Sequence, residues 1–283
     1  MPGNDGDFAS LQPLEGGWSG ETFVAEAGGD RTVVRIFAGL RHAPQAAEIQ
    51  AALLRLVRGL LPVPAVLEQR PGLLVTEYLP GVRADLVLPT LSPDRLRRLG
   101  ESLGAVAATL GGMPMLRRGV FADADLTVTP YDLELPPSLG PLAERADSLL
   151  DTEPRTCLVH SDLNPKNLLV DPDTLAVTGV LDWEFAHAGH PFTDLGNLLR
   201  FDREPAYVEG VLAAYAAARG TAPEAALDLA RAADLYALSE LASRAGENPV
   251  ADRAAVRLAA IVAAQDWHAT DVSTQRGVGI GGG

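Results

Sequence analysis

The sequence contains one cysteine, Cys157, and one lysine, Lys166. A single cysteine excludes an intrachain disulfide, so the fold has to be held together by its hydrophobic core. With 283 residues, 47% of them hydrophobic, the chain can bury a substantial core in one or two domains. Because the other 22 of the 23 basic residues are arginines, any site that needs a second cation has to use an arginine.

Long apolar runs are also missing. No uncharged stretch approaches the roughly 20 residues that cross a bilayer. The N-terminal residues MPGNDGDFAS lack the basic and apolar regions of a secretory signal. We therefore expect a cytoplasmic protein with no membrane partner, and nothing in the sequence indicates an oligomeric state.

Positive charge is scarce, and the net charge is -14. Residues 1–80 hold 6 basic and 9 acidic residues, and residues 81–283 hold 17 and 28, so the balances are -3 and -11. A negative field of this size opposes binding to nucleic acid and favours a cationic partner. The alternative is that the acidic residues serve solubility alone.

One polar segment stands between two short apolar runs: HSDLNPKN, residues 160–167. The runs predict buried strands, with the polar segment in the loop between them. Asp162 lies in this loop, Asn167 follows five residues later, and Asp182 ends the next apolar run. An aspartate can accept a proton from a hydroxyl, and asparagine and aspartate oxygens suit the Mg²⁺ that holds nucleotide phosphates. Ordinary hairpin turns would not require this combination.

The segments HSDLNPKN and LDWE resemble the H-G-D-x-x-x-x-N…D-W-E pattern of the aminoglycoside phosphotransferase family. That family includes kinases of choline, of homoserine and of the cyclic-peptide antibiotics viomycin and capreomycin, and the last branch is the most similar in length and motif. The resemblance implies that Asp162 is the catalytic base and that Asn167 and Asp182 bind Mg²⁺.

Three further residues accompany this motif. His160 is expected to shape the loop through a hydrogen bond to the main chain. Asp194, in a segment that resembles the family's P-x-x-D-L, either braces the loop or caps its own helix. Ser161 stands where the family usually has glycine; because serine is small we expect it to be tolerated, although a special backbone angle there would be strained.

The resemblance implies an α+β, two-lobed, protein-kinase-like fold. A small lobe, residues 1–80, would consist of an antiparallel sheet and one helix and would bind ATP or GTP. A larger, mostly helical lobe, residues 81–283, would carry catalysis and the acceptor site. The main chain from Glu77 to Leu79, at the hinge, is implied to bind adenine. The glycine-rich tail, residues 270–283, is expected to be disordered.

Besides Glu77 and Leu79, four further residues of the small lobe are expected at the nucleotide. Ser19 and Gly20 lie in a Gly-rich turn that could lay N–H groups over phosphates, although such turns are also ordinary hairpin turns. Arg35, on the third strand, takes the place of the phosphate-binding lysine of kinases. Glu48, on the following helix, is the expected carboxylate partner of Arg35.

The acidic larger lobe favours a cationic small molecule as the acceptor. Glu184, Asp202 and Glu204 are predicted to line its site, with Asp266 and Trp267 as weaker candidates. For Asp202 and Glu204 the alternative is a solvated helix start. The sequence therefore predicts an O-phosphotransferase that inactivates an aminoglycoside or a tuberactinomycin-type antibiotic. The alternatives are a metabolic kinase for choline, homoserine or a sugar amine, and a non-catalytic nucleotide-binding regulatory domain.

Overall fold

The computed structural model describes residues 11–13, 22–27, 29–37 and 44–270. Its N-terminal part is an antiparallel sheet of five strands in the order β1-β2-β3-β5-β4. The strands are β1 (Leu11–Pro13), β2 (Thr22–Ala27), β3 (Asp30–Ile36), β4 (Val66–Arg70) and β5 (Leu73–Glu77). Arg35 lies opposite Leu74 on the central pair of strands.

One helix, α1 (Ala46–Val57), packs against β4 and β5. Its buried side chains recur three or four residues apart, as a helix with one apolar face requires: Ala47, Gln50, Ala51, Leu53, Leu54 and Val57. The single helix beside an antiparallel sheet agrees with the composition expected for the small lobe.

Short strands beyond the hinge build the centre of the second part. Strand β6 (Val82–Arg83) pairs with β10 (Leu168–Val170), which pairs with β11 (Val177–Val180). Strand β9 (Cys157–Val159) pairs with β12 (His187–Gly189), and β7 (Val120–Phe121) pairs with β8 (Val128–Thr129). The segment 160–167 therefore connects β9 to β10, with a strand on each side as the sequence predicts.

Helices make up most of the second part. They are α2 (Ala84–Val87), α3 (Pro93–Leu110), α4 (Pro141–Leu150), α5 (Thr193–Leu199), α6 (Pro205–Arg219), α7 (Pro223–Ser243) and α8 (Pro249–Ala264). Five of them begin with proline, whose missing N–H costs nothing in the first turn. None of the helices in the described part of the chain has the length and apolarity needed to cross a bilayer.

The predicted α+β fold, with a sheet part and a helical part, is confirmed. The boundary between them at residue 80 stays a prediction. Of the predicted disordered tail, only Thr270 is described, and residues 271–283 lie outside the described residues.

Candidate active site

The carboxylate of Asp162 stands at the centre of the loop between β9 and β10. Its Oδ1 accepts a hydrogen bond of 2.8 Å from Nδ2 of Asn164, and its Oδ2 accepts one of 2.8 Å from Nδ2 of Asn167. Burial raises the pKa of Asp162, and the hydrogen bond from Asn167 opposes that rise. Two amides therefore fix both oxygens of a carboxylate whose basicity is above that of an exposed aspartate.

His160 is fully buried beneath this loop. Its Nε2 lies 2.8 Å from the carbonyl oxygen of Leu181. Because a carbonyl can only accept, Nε2 carries the proton, and Nδ1 accepts the N–H of Asp162 at 3.3 Å. Burial lowers the pKa of His160 to about 4, so the ring is neutral at pH 7. It packs on Trp183, with ring centroids 4.8 Å apart. His160 thus ties the loop to the strand end that precedes Asp182.

Helix α5 holds the same loop from the other side. Asp194 accepts the N–H of His160 at 2.9 Å through Oδ2 and that of Ser161 at 2.8 Å through Oδ1. Three residues on, and so on the same helix face, Asn197 accepts the N–H of Leu163 at 3.2 Å. Burial raises the pKa of Asp194 to about 7. Asp194 braces the loop, whereas the start of α5 is formed by Phe192. The role of Asn197 was not predicted from the sequence, although its position three residues after Asp194 places it on the same face of the helix and could have indicated it.

Ser161 has a φ of 66°, in the left-handed region. A side chain there costs roughly 1–2 kcal/mol, which accounts for the glycine in the family's motif. No hydrogen bond of its hydroxyl is seen within the described residues, so glycine would remove strain without removing a contact.

We expect Ser161→Gly to raise the free energy of unfolding by roughly 0.5–1 kcal/mol, since the relief of strain exceeds the added entropy of the unfolded chain. Urea titration measures the change. Ser102→Gly, in the middle of α3, is the matched control and should destabilise by about 0.5 kcal/mol. An equal loss of stability in both variants would contradict the role of strain at Ser161.

Asn167 and Asp182 lie at the facing ends of two paired strands, β10 and β11. The N–H of Leu181 donates to the carbonyl oxygen of Asn167 at 2.9 Å, which sets the two residues side by side. Nδ2 of Asn167 donates to Asp162, so its Oδ1 is left without a donor from the described residues. Asp182 has a φ of 63°, a strained conformation typical of functional sites.

This donor set fits Mg²⁺ that arrives with a nucleotide. Such an ion takes one or two protein oxygen ligands and completes its shell with phosphate oxygens and water. In the described residues no group of three or more His, Cys, Asp or Glu could hold a metal ion. The site therefore matches a shared nucleotide ion better than an ion bound by protein alone.

Arg35 reaches across from the sheet to this pair. Its Nη1 lies 2.7 Å from Oδ1 of Asp182, and its Nη2 lies 2.5 Å from Oε2 of Glu184. Nη1 also donates to Oε1 of Gln50 at 3.4 Å. The chain thus places a guanidinium, two carboxylates and an amide in one cluster at the ends of β3, α1 and β11.

The predicted pair between Arg35 and Glu48 is not formed. Gln50, two positions after Glu48 and therefore about 200° around α1, is the residue of that helix that contacts Arg35. Oε2 of Glu48 is buried and accepts no hydrogen bond from a described residue. Glu184, which the sequence placed at the acceptor, pairs with Arg35 together with Asp182.

We expect Glu184→Gln to raise the KM for ATP roughly fivefold, the effect of losing about 1 kcal/mol of ion pairing. The reason is that Nη2 of Arg35 loses the carboxylate of Glu184, which keeps the guanidinium in one orientation. Glu48→Gln is the matched control and should leave this KM unchanged. Steady-state kinetics at saturating acceptor measures both. A larger effect in Glu48→Gln than in Glu184→Gln would show that the helix carboxylate is the partner after all.

The hinge is only partly available to a nucleotide. The N–H of Glu77 already donates to the carbonyl oxygen of Ala65 at 2.9 Å. Neither the N–H nor the C=O of Leu79 bonds a main-chain group within the described residues. The main chain of Leu79 therefore has unused hydrogen-bonding groups among the described residues, whereas the N–H of Glu77 does not, and the binding of adenine at these residues stays a prediction. The predicted phosphate loop, with Ser19 and Gly20, lies outside the described residues.

Of the other acceptor candidates, Asp202 is linked to the catalytic loop only indirectly, through Asp85. It is half-buried, and burial together with the charge of Asp85 raises its pKa, while Arg253 lowers it. Asp85 belongs to α2, which packs against the turn 165–167. Glu204 is exposed at the start of α6 and makes no capping hydrogen bond.

The structure places Asp266 and Trp267 in a different neighbourhood. Arg145 of α4 lies over the ring of Trp267, 5.1 Å from its centroid, and Nε1 of Trp267 lies 3.5 Å from Asp228 of α7. Arg145, Asp228 and Trp267 line an open cavity of about 440 Å³. In the described part of the chain neither Asp266 nor Trp267 makes a hydrogen bond or ion pair with residues 160–167.

Comparison with known proteins begins with the sequence. Residues 10–235 match the family described as "Phosphotransferase enzyme family". Mouse acyl-CoA dehydrogenase family member 11 is 43% identical over 54 residues, which is 19% of this chain and 7% of that protein. Mouse acyl-CoA dehydrogenase family member 10 is 28% identical over 156 residues, 48% of this chain and 15% of that protein. The chain thus matches only a small share of the length of these curated relatives.

Solved structures are similar over most of the chain. A microcompartment-associated aminopropanol kinase has a TM-score of 0.58 at 22% identity, covering 87% of both chains. Aminoglycoside phosphotransferase APH(4)-Ia, solved with ADP and hygromycin B, has a TM-score of 0.60 at 20% identity, covering 90% of this chain and 94% of that one. These likenesses show a shared fold. The family match over residues 10–235 shows that this chain belongs to the phosphotransferase enzyme family.

Proposed function

We propose that this chain transfers the γ-phosphoryl group of ATP or GTP to a hydroxyl of a cationic antibiotic, of the aminoglycoside type or of the tuberactinomycin type such as viomycin or capreomycin. The observation that carries the proposal is the fixed carboxylate of Asp162 beside the oxygen atoms of Asn167 and Asp182. The bound ADP and hygromycin B of the neighbour APH(4)-Ia support a nucleotide and a cationic acceptor in a fold of this kind.

Each residue has a defined part in this reaction. Asp162 accepts the proton of the acceptor hydroxyl, and the amides of Asn164 and Asn167 keep its carboxylate aimed. Oxygens of Asn167 and Asp182 would hold Mg²⁺, which when bound supplies positive charge to the phosphate oxygens. Arg35 donates its planar fork to a phosphate. Most of the rate gain would come from positioning and charge neutralisation.

A cationic acceptor is supported by charge and burial. Residues 81–283 hold 17 basic and 28 acidic residues, and burial together with the nearby charge of Asp85 raises the pKa of Asp202. An acceptor attracted by such a field should show a KM that rises with salt, because the Debye length shrinks from about 10 Å at 0.1 M to about 3 Å at 1 M.

The test is an ADP-release assay on purified enzyme with viomycin, capreomycin, gentamicin and hygromycin B. It is paired with a resistance panel in a susceptible host that expresses the chain. The Asp162→Asn variant is the control in both. We expect one cationic antibiotic to be phosphorylated and tolerated only with the wild-type chain, with a KM that rises between low and high salt. Turnover of a neutral acceptor alone, or a KM for the acceptor that does not change with salt, would contradict the proposal that the acceptor is cationic.

A metabolic kinase of an amino alcohol is the second candidate. The similarity in fold to the aminopropanol kinase favours it, since that substrate also combines a hydroxyl with an ammonium group. Adding choline, homoserine, aminopropanol and a sugar amine to the same assay separates the two, because turnover of one of these without antibiotic turnover selects the metabolic reaction. A non-catalytic regulatory domain would bind nucleotide but would form no ADP with any of these acceptors.

A further inference from the structure

Helix α5 presents two neighbouring faces with different tasks. On one, Asp194 and Asn197 accept the N–H groups of the catalytic loop. On the other, Gly196 and Arg200, four residues apart, meet α7. The helix is therefore a direct mechanical link between the loop that carries Asp162 and a long helix behind it.

The contact with α7 is unusually close. A Cβ on Gly196 would lie 2.5 Å from the carbonyl oxygen of Ala230 and 2.9 Å from Cβ of Asp234. A carbon atom cannot come this close to an oxygen or carbon atom to which it is not bonded. Only glycine therefore lets α5 approach α7 this far. The position of α5 is thus set by its packing on α7, and a shift of α5 would move the loop with it.

A buried ion pair fastens this contact. Nε of Arg200 donates to both oxygens of Asp234 at 2.9 and 3.1 Å, and Nη2 donates to Oδ1 at 2.7 Å. The side chains are only 6% and 8% exposed. Replacing a buried pair by apolar residues of similar size is often neutral or stabilising, so such a pair is weak evidence for stability. Its forked geometry instead fixes one register between the helices.

The hydrogen bonding of Asn197 also indicates that α5 is held in place for the sake of the loop. Its Oδ1 accepts the N–H of Leu163, but its Nδ2 is buried without a hydrogen-bond partner among the described residues. An unsatisfied buried donor costs roughly 1–3 kcal/mol. Helix α5 thus keeps an unfavourable buried amide at the residue that accepts the N–H of Leu163 in the loop.

We propose that Arg200 and Asp234 are positioning residues for phosphoryl transfer. Their ion pair locks α5 on α7, so that Asp194 and Asn197 hold the loop and its Asp162 in the reactive geometry. This inference rests on the proposed function, because it takes Asp162 as the catalytic base. Neither residue touches the reacting atoms. The charge of Arg200 also lowers the pKa of Asp162 directly, and the effect of the ion pair on geometry passes through α5. A displacement of about 1 Å in a catalytic group can cost 10²-fold in rate.

The test uses the double variant Arg200→Met/Asp234→Leu, which removes both charges and keeps the volume. We expect an unchanged or higher Tm, a kcat lowered by about 10- to 100-fold, and an unchanged KM for ATP. We also expect faster hydrogen–deuterium exchange of the amides of residues 160–163, measured by mass spectrometry. The single variant Arg200→Lys keeps the charge but loses the forked guanidinium. Its kcat should lie between that of the wild type and that of the double variant.

The matched control is Arg97→Met/Glu209→Leu, which removes an exposed ion pair between α3 and α6. It should leave kcat and the exchange of residues 160–163 unchanged. Wild-type kcat and exchange in a folded Arg200→Met/Asp234→Leu variant would overturn the proposal. If that variant does not fold, wild-type kcat and exchange in folded Arg200→Lys would overturn it instead.

The exchange measurement needs no acceptor, so the two proposals can fail separately. Faster exchange in a chain that phosphorylates no tested acceptor would support the link through α5 and count against the proposed function. Unchanged exchange in an active enzyme would remove the link and leave the proposed function standing.

Discussion

Asp162→Asn is expected to lower kcat by roughly 10²–10⁴-fold, the usual loss when a general base is removed. Asparagine has nearly the same shape but cannot take up a proton at neutral pH. Its amide would also place a donor against Nδ2 of Asn164 or Asn167, where the carboxylate now accepts two hydrogen bonds. The KM for ATP should stay near its wild-type value, because Asp162 is assigned to the acceptor hydroxyl.

Steady-state kinetics with either nucleotide and the identified acceptor measures this change. Asp173→Asn is the control: it removes an equal charge from an exposed position in the turn after β10. Its kcat should be unchanged. Wild-type kcat in Asp162→Asn would remove Asp162 from the role of base.

Asp182→Ala is expected to lower kcat by about 10³-fold or more, since the charge stabilisation supplied through a bound metal ion is worth several kcal/mol. The variant deletes the charged member of the oxygen pair with Asn167. Calorimetric titration should show that Mg²⁺ no longer strengthens ATP binding, which is a readout independent of turnover.

The substitution also removes one partner of Arg35, so a control has to separate the two effects. Glu184→Gln loosens Arg35 without touching the proposed metal ligands. It should keep the dependence of ATP binding on Mg²⁺, whereas Asp182→Ala should lose it. Normal turnover of Asp182→Ala at limiting Mg²⁺ would remove Asp182 from the metal site.

The sequence predicted the parts of the site that are close together along the chain. The apolar runs on either side of residues 160–167 fixed two strands and the loop between them. The spacing of Asn167 and Asp182 then follows from a short hairpin, because β10 and β11 are neighbours in both sequence and space. For Ser161, where the family's motif has glycine, the sequence indicated only that a special backbone angle would be strained, and the left-handed backbone itself is a finding of the structure.

The contacts that the sequence did not predict join distant segments. Arg35 pairs with Asp182 and Glu184, 147 and 149 residues away, and Glu48 is excluded because the phase of α1 turns Gln50 toward Arg35. Likewise, the pairing of Arg200 with Asp234 depends on how closely α5 settles on α7.

By itself, therefore, the sequence determined the strands around residues 160–167 and the spacing of Asp162, Asn167 and Asp182, because local periodicity encodes them, and the resemblance of these motifs indicated the family and the α+β architecture. Only the tertiary structure decided which carboxylate orients Arg35 and what holds the catalytic loop in place. Those outcomes depend on helix phase and on the distance between packed elements, which no local pattern of residues specifies.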